Sequence, residues 1–573
     1  MLLLLGALAV GLTLPGVRSD LQAGRAALAS AQADLGRGDL TAARAHLASA
    51  EQRSAHAERR AKSVVWRLMG HVPVVGPDVR ELQGMVAAVD TTTHDVLPPL
   101  LSLADQRGWS GRVDPQVFRR LQAPLARAQA SLEGARRRLR SAPRSGLAEL
   151  EKPRRQLDDG LTKLAVTVGE ARVVATVLPQ LAQGDHRLML AVQNTAEPRA
   201  TGGLLGAYGL LQVKDGAFSL TRTGPNQDLH DQPSPTVEIG QEYDDRYGRF
   251  DATSVWRSAN LTPDAPTAGR TLLALWRAQF HEQLDGVLFV DPVALADLLG
   301  ATGPLTLPDG TALTEKNAVQ VLLVDAYRRF PTTQDAARNA YLQSATQKIV
   351  GRLSRGGLSG VRLAQRVTKA AATGHLQLVL ADPQLESEVE QARVGGALRA
   401  DGPFLSVVTQ DVGGSKLGTY LHRSVHYVGR PTGEATDLGD GARLEERATV
   451  DVGLTNSAPP GLPSYVTARP DDPGAPVGQA KYWLSVYLAK DATLLGATLD
   501  GRPVEVETGT EQGLSVASLF LTVDRGQTRT LSLKVMQPSR PGQPLTYRQQ
   551  PLLRPDRLVV DRAGAPLSLL YAP

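Results

Sequence analysis

The chain has 573 residues, 63 Lys and Arg against 58 Asp and Glu, and a formal net charge of +5. That length exceeds a single hydrophobic core, so several domains are expected, and so dilute a positive excess gives no basic patch for nucleic acid. With no cysteine at all, disulfides, thiolate chemistry and Cys-based metal sites are excluded.

Taken in order, the chain opens with an apolar run, Met1–Gly16, with no charge before Arg18. It falls just short of a membrane span and lacks a small-x-small cleavage site. We read residues 1–17 as a retained membrane anchor, truncated at its start; a buried helix is the other reading of such a run. Residues 18–183 carry a helical stalk or bundle. Leu21, Leu28 and Leu35 fall at heptad spacing. Gly36-Arg37-Gly38-Asp39 then breaks the pattern, and Asp39 suits the N-cap of a second helix. A second break, His71 to Pro77, precedes a helical run to about Gln106. Further helices are expected near Pro115–Arg140 and Gly146–Leu178, the latter stopped by Pro179, with Leu157, Leu161, Leu164 and Val168 on one face. The run Arg136-Arg137-Arg138-Leu139-Arg140 suits a solvated helix face, or contact with anionic lipid or an acidic polymer.

From residue 184 the pattern becomes α/β. A strand, Leu188–Val192, leads into a glycine-rich turn, Gln193–Gly209 (QNTAEPRATGGLLGAYG), and a second apolar run, Leu210–Val213. Lys214-Asp215-Gly216 and a third strand follow. Arg222–Asp251 is too long and polar for an ordinary connection, so a functional or mobile loop is expected. Thr267–His281 is helical and Gly286–Val290 is a buried strand. Asp291 caps a helix with Pro292 at its first position. Helices over 314–330 and 335–353 close this domain near residue 375. Residues 376–573 are rich in short strands separated by Gly-containing turns, which predicts an antiparallel β-sandwich of immunoglobulin type.

QNTAEPRATGGLLGAYG, DGVLFVDPVALADLLGATGPL (Asp285–Leu305) and GGSKLGTYLHRSV (Gly413–Val425) resemble a family of bacterial envelope proteins, the domain of unknown function 4012 (DUF4012) family, from about Gln193 onward. The order of elements from Leu188 to Leu353 is also similar to the LytR-CpsA-Psr family, which transfers glycopolymers from polyprenyl-pyrophosphate carriers to the cell wall. That similarity rests on Asp291…Leu299-Gly300…Gly303, on Ala326-Tyr327-Arg328-Arg329 and on Asp335-Ala336-Ala337-Arg338. The charged pair of that family's early strand falls near Gly206-Ala207-Tyr208, which are uncharged. Its Pro-Arg-Asp is reduced to Thr221-Arg222-Thr223, and its second helix arginine is replaced by Tyr341, with Gln343 retained.

The resemblance implies a multidomain, membrane-anchored, extracytoplasmic envelope protein. Its implied partners are a lipid-linked pyrophosphate glycopolymer or polysaccharide. Such chemistry uses arginines on pyrophosphate oxygens and a carboxylate-held Mg²⁺. The corresponding candidates are Arg222, Asp335 and Arg338 for catalysis, Glu197, Arg199, Gly202, Gly203 and Arg328 for ligand binding, and Asp228 and Asp231, flanking His230, for metal. The missing charged pair favours a non-catalytic binding or scaffold role over a phosphotransferase. Several candidates also have plain structural readings: Glu197 with Arg199 as an ion pair, Gly202-Gly203 as a tight turn, Asp335 as a cap paired with Arg338.

Overall fold

Alanine-rich helices pack closely where their small side chains face one another, and the first part of the chain uses this throughout. The structure, a computed structural model, describes residues 15–37, 39–73, 75–104, 110–146, 148–330, 334–391, 394–400, 402–437, 442–540, 542–562 and 567–571. They form two compact units. One holds the helical region to Asp185 with Lys214–Ala217 and Arg355–Gln365, and the other holds His186–Val213, Phe218–Ser354 and Arg366–Pro573.

In the helical unit, α1 (Pro15–Arg37) and α2 (Leu40–Ala61) form a hairpin, and the Asp39 carboxylate accepts the Ala42 N–H at 3.0 Å. Then come α3 (Val64–Met69), α4 (Gly76–Thr91), a π turn over Thr92–Val96, α5 (Leu97–Ala104), α6 (Pro115–Ser141) and α7 (Ala148–Leu181). Leu157, Leu161 and Val168 are buried against Leu132, Ala135 and Leu139 of α6. Pro179 does not stop α7, which runs on to Leu181 and places the proline in its last turn. The arginine run lies on a largely solvated helix face, as expected, with Arg137, Arg138 and Arg140 exposed. Arg136 donates to Thr162 at 3.0 Å, Arg140 pairs with Asp158 at 3.3 Å, and Arg137 lies 3.8 Å from Glu133. Among the described residues no helix is long and apolar enough to cross a membrane; Met1–Leu14 of the expected anchor lie outside them.

The second unit begins with β1 (Asp185–Arg199), β2 (Gly202–Lys214) and β3 (Ala217–Pro225). The expected turn at Gln193–Gly209 is therefore mostly strand, and only Ala200 and Thr201 connect β1 to β2. Gly202, at φ +140°, serves the turn itself, whereas Gly203 and Gly209 serve close approach of neighbouring strands. A Cβ on Gly203 would lie 2.3 Å from the Asn194 backbone, and one on Gly209 would lie 2.8 Å from Leu220. The polar segment after β3 is also folded. It forms α8 (Gln241–Tyr247), where Arg246 and Tyr247 are buried. Next come α9 (Ala265–Phe280), β4 (Gly286–Val290), α10 (Pro292–Thr302), β5 (Leu305–Thr306) and β6 (Ala312–Leu313). As expected, Asp291 caps α10, accepting from the N–H groups of Val293 and Ala294. Then α11 (Ala318–Gln320) passes through a π turn, Val321–Asp325, into α12 (Ala326–Arg329), followed by α13 (Asp335–Arg355), α14 (Gly360–Ala372) and β7 (Leu376–Leu380).

The central sheet has the order β3-β2-β1-β4-β7, with β1 parallel to β4 and β7 antiparallel to it. The boundary expected at 375/376 falls just before β7, a strand that completes this sheet. One face buries Met189, Ala191, Val287 and Phe289 under Leu272, Leu275 and Trp276 of α9, and the other buries Leu190 and Val290 with Ala294 and Ala370. A parallel pair covered on both faces accounts for the unbroken apolar run in β4.

Beyond α15 (Pro383–Gln391) the chain is β: β8 (Phe404–Asp411), β9 (Leu421–Asp437), β10 (Ala442–Asn456), then α16 (Ser464–Thr467), β11 (Ala480–Leu488), β12 (Thr493–Leu499), β13 (Arg502–Pro503), β14 (Glu507–Glu511), β15 (Leu514–Val523), β16 (Thr528–Ser539), β17 (Leu545–Arg548), β18 (Arg557–Arg562) and β19 (Leu567–Leu570). They make two six-stranded sheets, β14-β15-β11-β8-β17-β19 and β13-β12-β16-β10-β9-β18, which share one apolar cluster. The expectation of purely antiparallel pairing is corrected here. β17 runs parallel to β8 and β19, and β18 runs parallel to β9. None of these pairs is joined by a hairpin: β8 and β9 lie far earlier in the chain than β17 and β18, and β18 of the other sheet intervenes between β17 and β19, so each parallel pairing is reached by crossing between the sheets.

Between the two sheets lies a buried ion pair. The Arg423 guanidinium meets both Asp556 oxygens at 2.6 and 2.8 Å and also donates to Thr409 and Gln550. Removing one member strands the other charge in the core, which typically costs about 3–5 kcal/mol. Asp556→Ala is expected to lower the urea midpoint of this unit sharply. The Arg423→Leu, Asp556→Leu double variant should recover part of that loss, because it leaves no orphaned charge.

Candidate functional site

Beside the carboxyl end of β1, within the second unit, is a cavity of about 220 Å³. Its walls are largely apolar, from Val192, Leu204, Leu295, Leu322, Leu323 and Leu342. One side is polar, with Asn194, Glu197, Tyr327, Arg338, Lys416 and Tyr465. Five separate elements bring these six residues together.

β1 supplies the first two. Glu197 Oε1 receives the Asn194 amide at 3.0 Å and the Lys416 ammonium at 2.9 Å. The Asn194 amide also donates to the Tyr327 hydroxyl at 2.9 Å. Lys416 stands in the turn after β8, and that turn is built by Asp411. One Asp411 oxygen accepts the Gly414 N–H and the other the Ser415 hydroxyl, each at 2.7 Å. Gly414 has φ +77°, a backbone state that favours glycine. Tyr465, on α16, is flanked by two cations. The Arg338 guanidinium lies 3.9 Å and the Lys416 ammonium 4.2 Å from its ring centroid. Cation–π contact of this kind gains strength as water is excluded. Burial disfavours the Lys416 charge, but Glu197, Tyr327 and Tyr465 outweigh it and hold the ammonium above its usual range. Burial also pushes the Tyr327 hydroxyl up, so it stays protonated and able to donate.

Arg338 is the most unusual member. It is 1 % exposed, its Nη2 donates to Asp335 at 2.6 Å, and its Nη1 has no hydrogen-bond partner among the described residues. A buried guanidinium nitrogen without an acceptor costs free energy that an acceptor in the cavity would restore. α13 is held beside the cavity by Gln347 to Thr223 at 2.9 Å and Asn339 to Gln227 at 3.2 Å.

Among the residues singled out from sequence, the structure brings Glu197 and Arg338 to the cavity, with Asp335 behind Arg338. Gly206, Ala207, Tyr208, Thr223 and Gln343, noted in the transferase similarity, also line the cavity, whereas the remaining catalytic, ligand-binding and metal candidates are elsewhere. Glu197 pairs with Lys416, not Arg199. Arg199 is buried and donates to the Pro198 and Asp411 carbonyls, and burial lowers its pKa from the usual arginine value. Gly202 and Gly203 lie where the Gln193 side chain crosses them, with the Gly203 N–H donating to Gln193 Oε1 at 2.9 Å. Arg222 pairs with Glu282 at 3.1 Å beside Trp276 and Phe280. Arg328 is exposed. Asp231 accepts the Trp256 N–H at 3.0 Å and lies 3.6 Å from Arg257, while Asp228 accepts the Gln279 amide through its backbone carbonyl. Among the described residues no three His, Asp or Glu side chains converge as a metal set. Sequence reasoning missed Asn194, Tyr327, Lys416 and Tyr465 as site residues. Lys416 had a visible signal, because it sits in the Gly-Gly-Ser-Lys stretch of the third family motif.

Residues 183–327 match the model of the family described as protein of unknown function (DUF4012), and that segment belongs to it. It contains Asn194, Glu197 and Tyr327, whereas Arg338, Lys416 and Tyr465 lie beyond it. A comparison with curated proteins gives no match.

Asp411 gives the site a pH signature. Burial, with Glu197 adding, pushes its carboxyl up to about 6 against the opposing pull of Ser415, Arg199 and Gly414. A carboxyl raised in the folded state contributes stability that is fully present below the unfolded value of 3.8 and lost as pH rises through about 6. In Asp411→Asn this dependence disappears. Between those two pH values the variant's thermal midpoint should rise relative to that of the native chain, by the equivalent of about 3 kcal/mol at most.

Proposed function

We propose that the cavity binds the anionic head of an amphipathic carrier, the pyrophosphate of a polyprenyl-linked glycopolymer, and that the protein holds this ligand without reacting it. The single observation that carries the reading is the Arg338 Nη1 hydrogen-bond donor, buried and unanswered among the described residues, on the polar side of a cavity whose other walls are largely apolar. An anion meeting Arg338 and Lys416 satisfies that donor, and the apolar walls suit the first isoprene units. At about 220 Å³ the space is below the roughly 300–1,000 Å³ of a drug-sized site. It therefore suits a head group and not a whole lipid-linked polymer.

The choice of binding over transfer rests on the carboxylates. Phosphoryl transfer asks for a carboxylate that can hold Mg²⁺ or orient a nucleophile. Glu197 is engaged by Lys416 and Asn194, and Asp335 by Arg338. Similarity to the LytR-CpsA-Psr transferases supports the ligand class, and a phosphotransferase remains the second reading because Arg338 and Asp335 keep their expected places. On this reading the two C-terminal sheets are a β-sandwich platform. The sequence Met1–Gly16 anchors the chain in the cell membrane with its bulk outside the cytoplasm.

The test is calorimetric titration of the protein with farnesyl pyrophosphate, with and without Mg²⁺. Micromolar binding is expected. It should fall about 10–100-fold in Arg338→Ala and in Lys416→Ala, the range for losing a charge-assisted hydrogen bond. Arg222→Ala, outside the cavity, should bind as the native chain does. Absence of binding by folded protein, or equal loss in Arg222→Ala, would reject this assignment of the cavity. Release of inorganic phosphate or a transferred head group would favour the transferase.

A further inference from the structure

Between α2 and α4 the helical unit exposes an apolar tip. Trp66 is turned inward against Ala57, Ala61, Val79 and Val86. That orientation puts the opposite side of the six-residue α3 in water, with Val64, Val65 and Leu68 at 61, 62 and 66 % exposure. Met69, Val72 and Val75 are exposed as well. Leaving a Val or Leu uncovered forgoes about 1.5–3 kcal/mol of burial each, and apolar groups gathered in one patch mark an interaction site.

The tip is a built feature. The Gly70 N–H bonds to the Trp66 carbonyl at 3.0 Å, and the Gly76 N–H bonds to the Val72 carbonyl at 2.7 Å. Arg80 donates to the Gly70 carbonyl. A Cβ on Gly76 would sit 2.6 Å from the Gly70 oxygen, so the loop closes only with glycine there.

Charge identifies what covers them. From Glu58 to Arg80 there are five Lys and Arg (Arg59, Arg60, Lys62, Arg67 and Arg80) and two acids. Of the acids, Glu58 is paired with Lys62 at 2.7 Å and Asp78 accepts the Ser145 hydroxyl. The tip is therefore apolar at its apex and cationic at its base. Position agrees. Asp20 lies 3.4 Å from Arg53 and 3.3 Å from Arg60, so the start of α1 is beside the end of α2. The tip thus stands at the end of the hairpin where the chain arrives from the apolar sequence Met1–Leu14.

We infer that the tip inserts shallowly into a bilayer containing anionic phospholipid, with Val64, Val65, Leu68, Met69, Val72 and Val75 among the upper acyl chains and the cations at phosphate level. Such elements sit about 5–10 Å deep and gain from both apolar burial and anionic lipid. A second copy of the chain is the poorer occupant. Six such side chains fall short of the about 800 Å² per partner of a standard protein interface, whereas lipid needs no matching surface. The inference stands apart from the ligand assigned to the cavity.

The chain has no cysteine, so one introduced thiol reports locally. The full chain carrying Val72→Cys, labelled with an environment-sensitive dye, is mixed with phosphatidylcholine vesicles with and without phosphatidylglycerol. A blue shift and quenching by brominated lipid are expected with the anionic vesicles, with at least tenfold weaker partitioning of the tip without them or in the Val64→Glu, Leu68→Glu background. Both of those positions are exposed, so the fold tolerates the change. A dye at Arg119→Cys, on the first turns of α6, should not respond. The inference is overturned if the Val72 dye stays in water while the protein binds vesicles, if the Arg119 dye shifts equally, or if the protein does not bind. A shift that follows protein concentration without lipid would reassign the tip to self-association and overturn it too.

Discussion

Strand β1 pairs with β4 only as far as Val192, where β4 ends at Val290, yet it continues as strand to Arg199. That overrun is the constraint on which the second unit depends. It carries Asn194 and Glu197 beyond the edge of the parallel pair, into the crevice outside the carboxyl ends of the strands where open α/β sheets receive ligands. It also gives β2 a partner along its whole length and delivers Ala196 into the cluster shared by the two C-terminal sheets. Without the overrun, Lys416 would have no carboxylate to meet.

Local sequence chemistry was legible wherever one residue decides one geometry. Asp39 and Asp291 were recognisable as caps because a short carboxylate ahead of a helical pattern has little else to do. β4 was legible because five apolar residues between Asp285 and Asp291 leave no other reading. The stretch Gln193–Gly209 misled. Glycine permits both a turn and a close strand approach, and only the opposing backbone of Asn194 decides between them. Pro179 misled because the Ala175 carbonyl, which it leaves without an intrahelical donor, is met from another helix by the Gln122 amide at 2.9 Å.

The site was half legible. Arg338 is in it on a helix that was inferred, and Glu197 on a strand that continues where a turn was expected. Arg222 and Arg199 are not, because each found a partner that local sequence cannot name: Glu282 for one, the β8 backbone for the other. Lys416 and Tyr465 come from elements far along the chain, and no short-range pattern announces that they will stack with a helix near residue 338. Electrostatics had the same limit. The charges that matter at the cavity are ordinary residues made unusual by burial.

The docking of α8 bears on how the protein is made. Tyr247 and Tyr487 both donate to Glu511, at 2.7 and 2.6 Å, and Thr262 joins them at 2.5 Å. Further along, Arg548 donates to the Pro263 carbonyl and Gln550 to that of Arg199. All of these except Tyr487 to Glu511 join residues at least 249 apart in sequence, and loop closure over such distances is slow. The central sheet is synthesised early, but its surroundings are supplied by strands that emerge last. As the chain leaves the ribosome it therefore carries an incomplete core through most of its synthesis. The contacts of Arg548 and Gln550 with the Pro263 and Arg199 carbonyls can close only after residue 550 has been made.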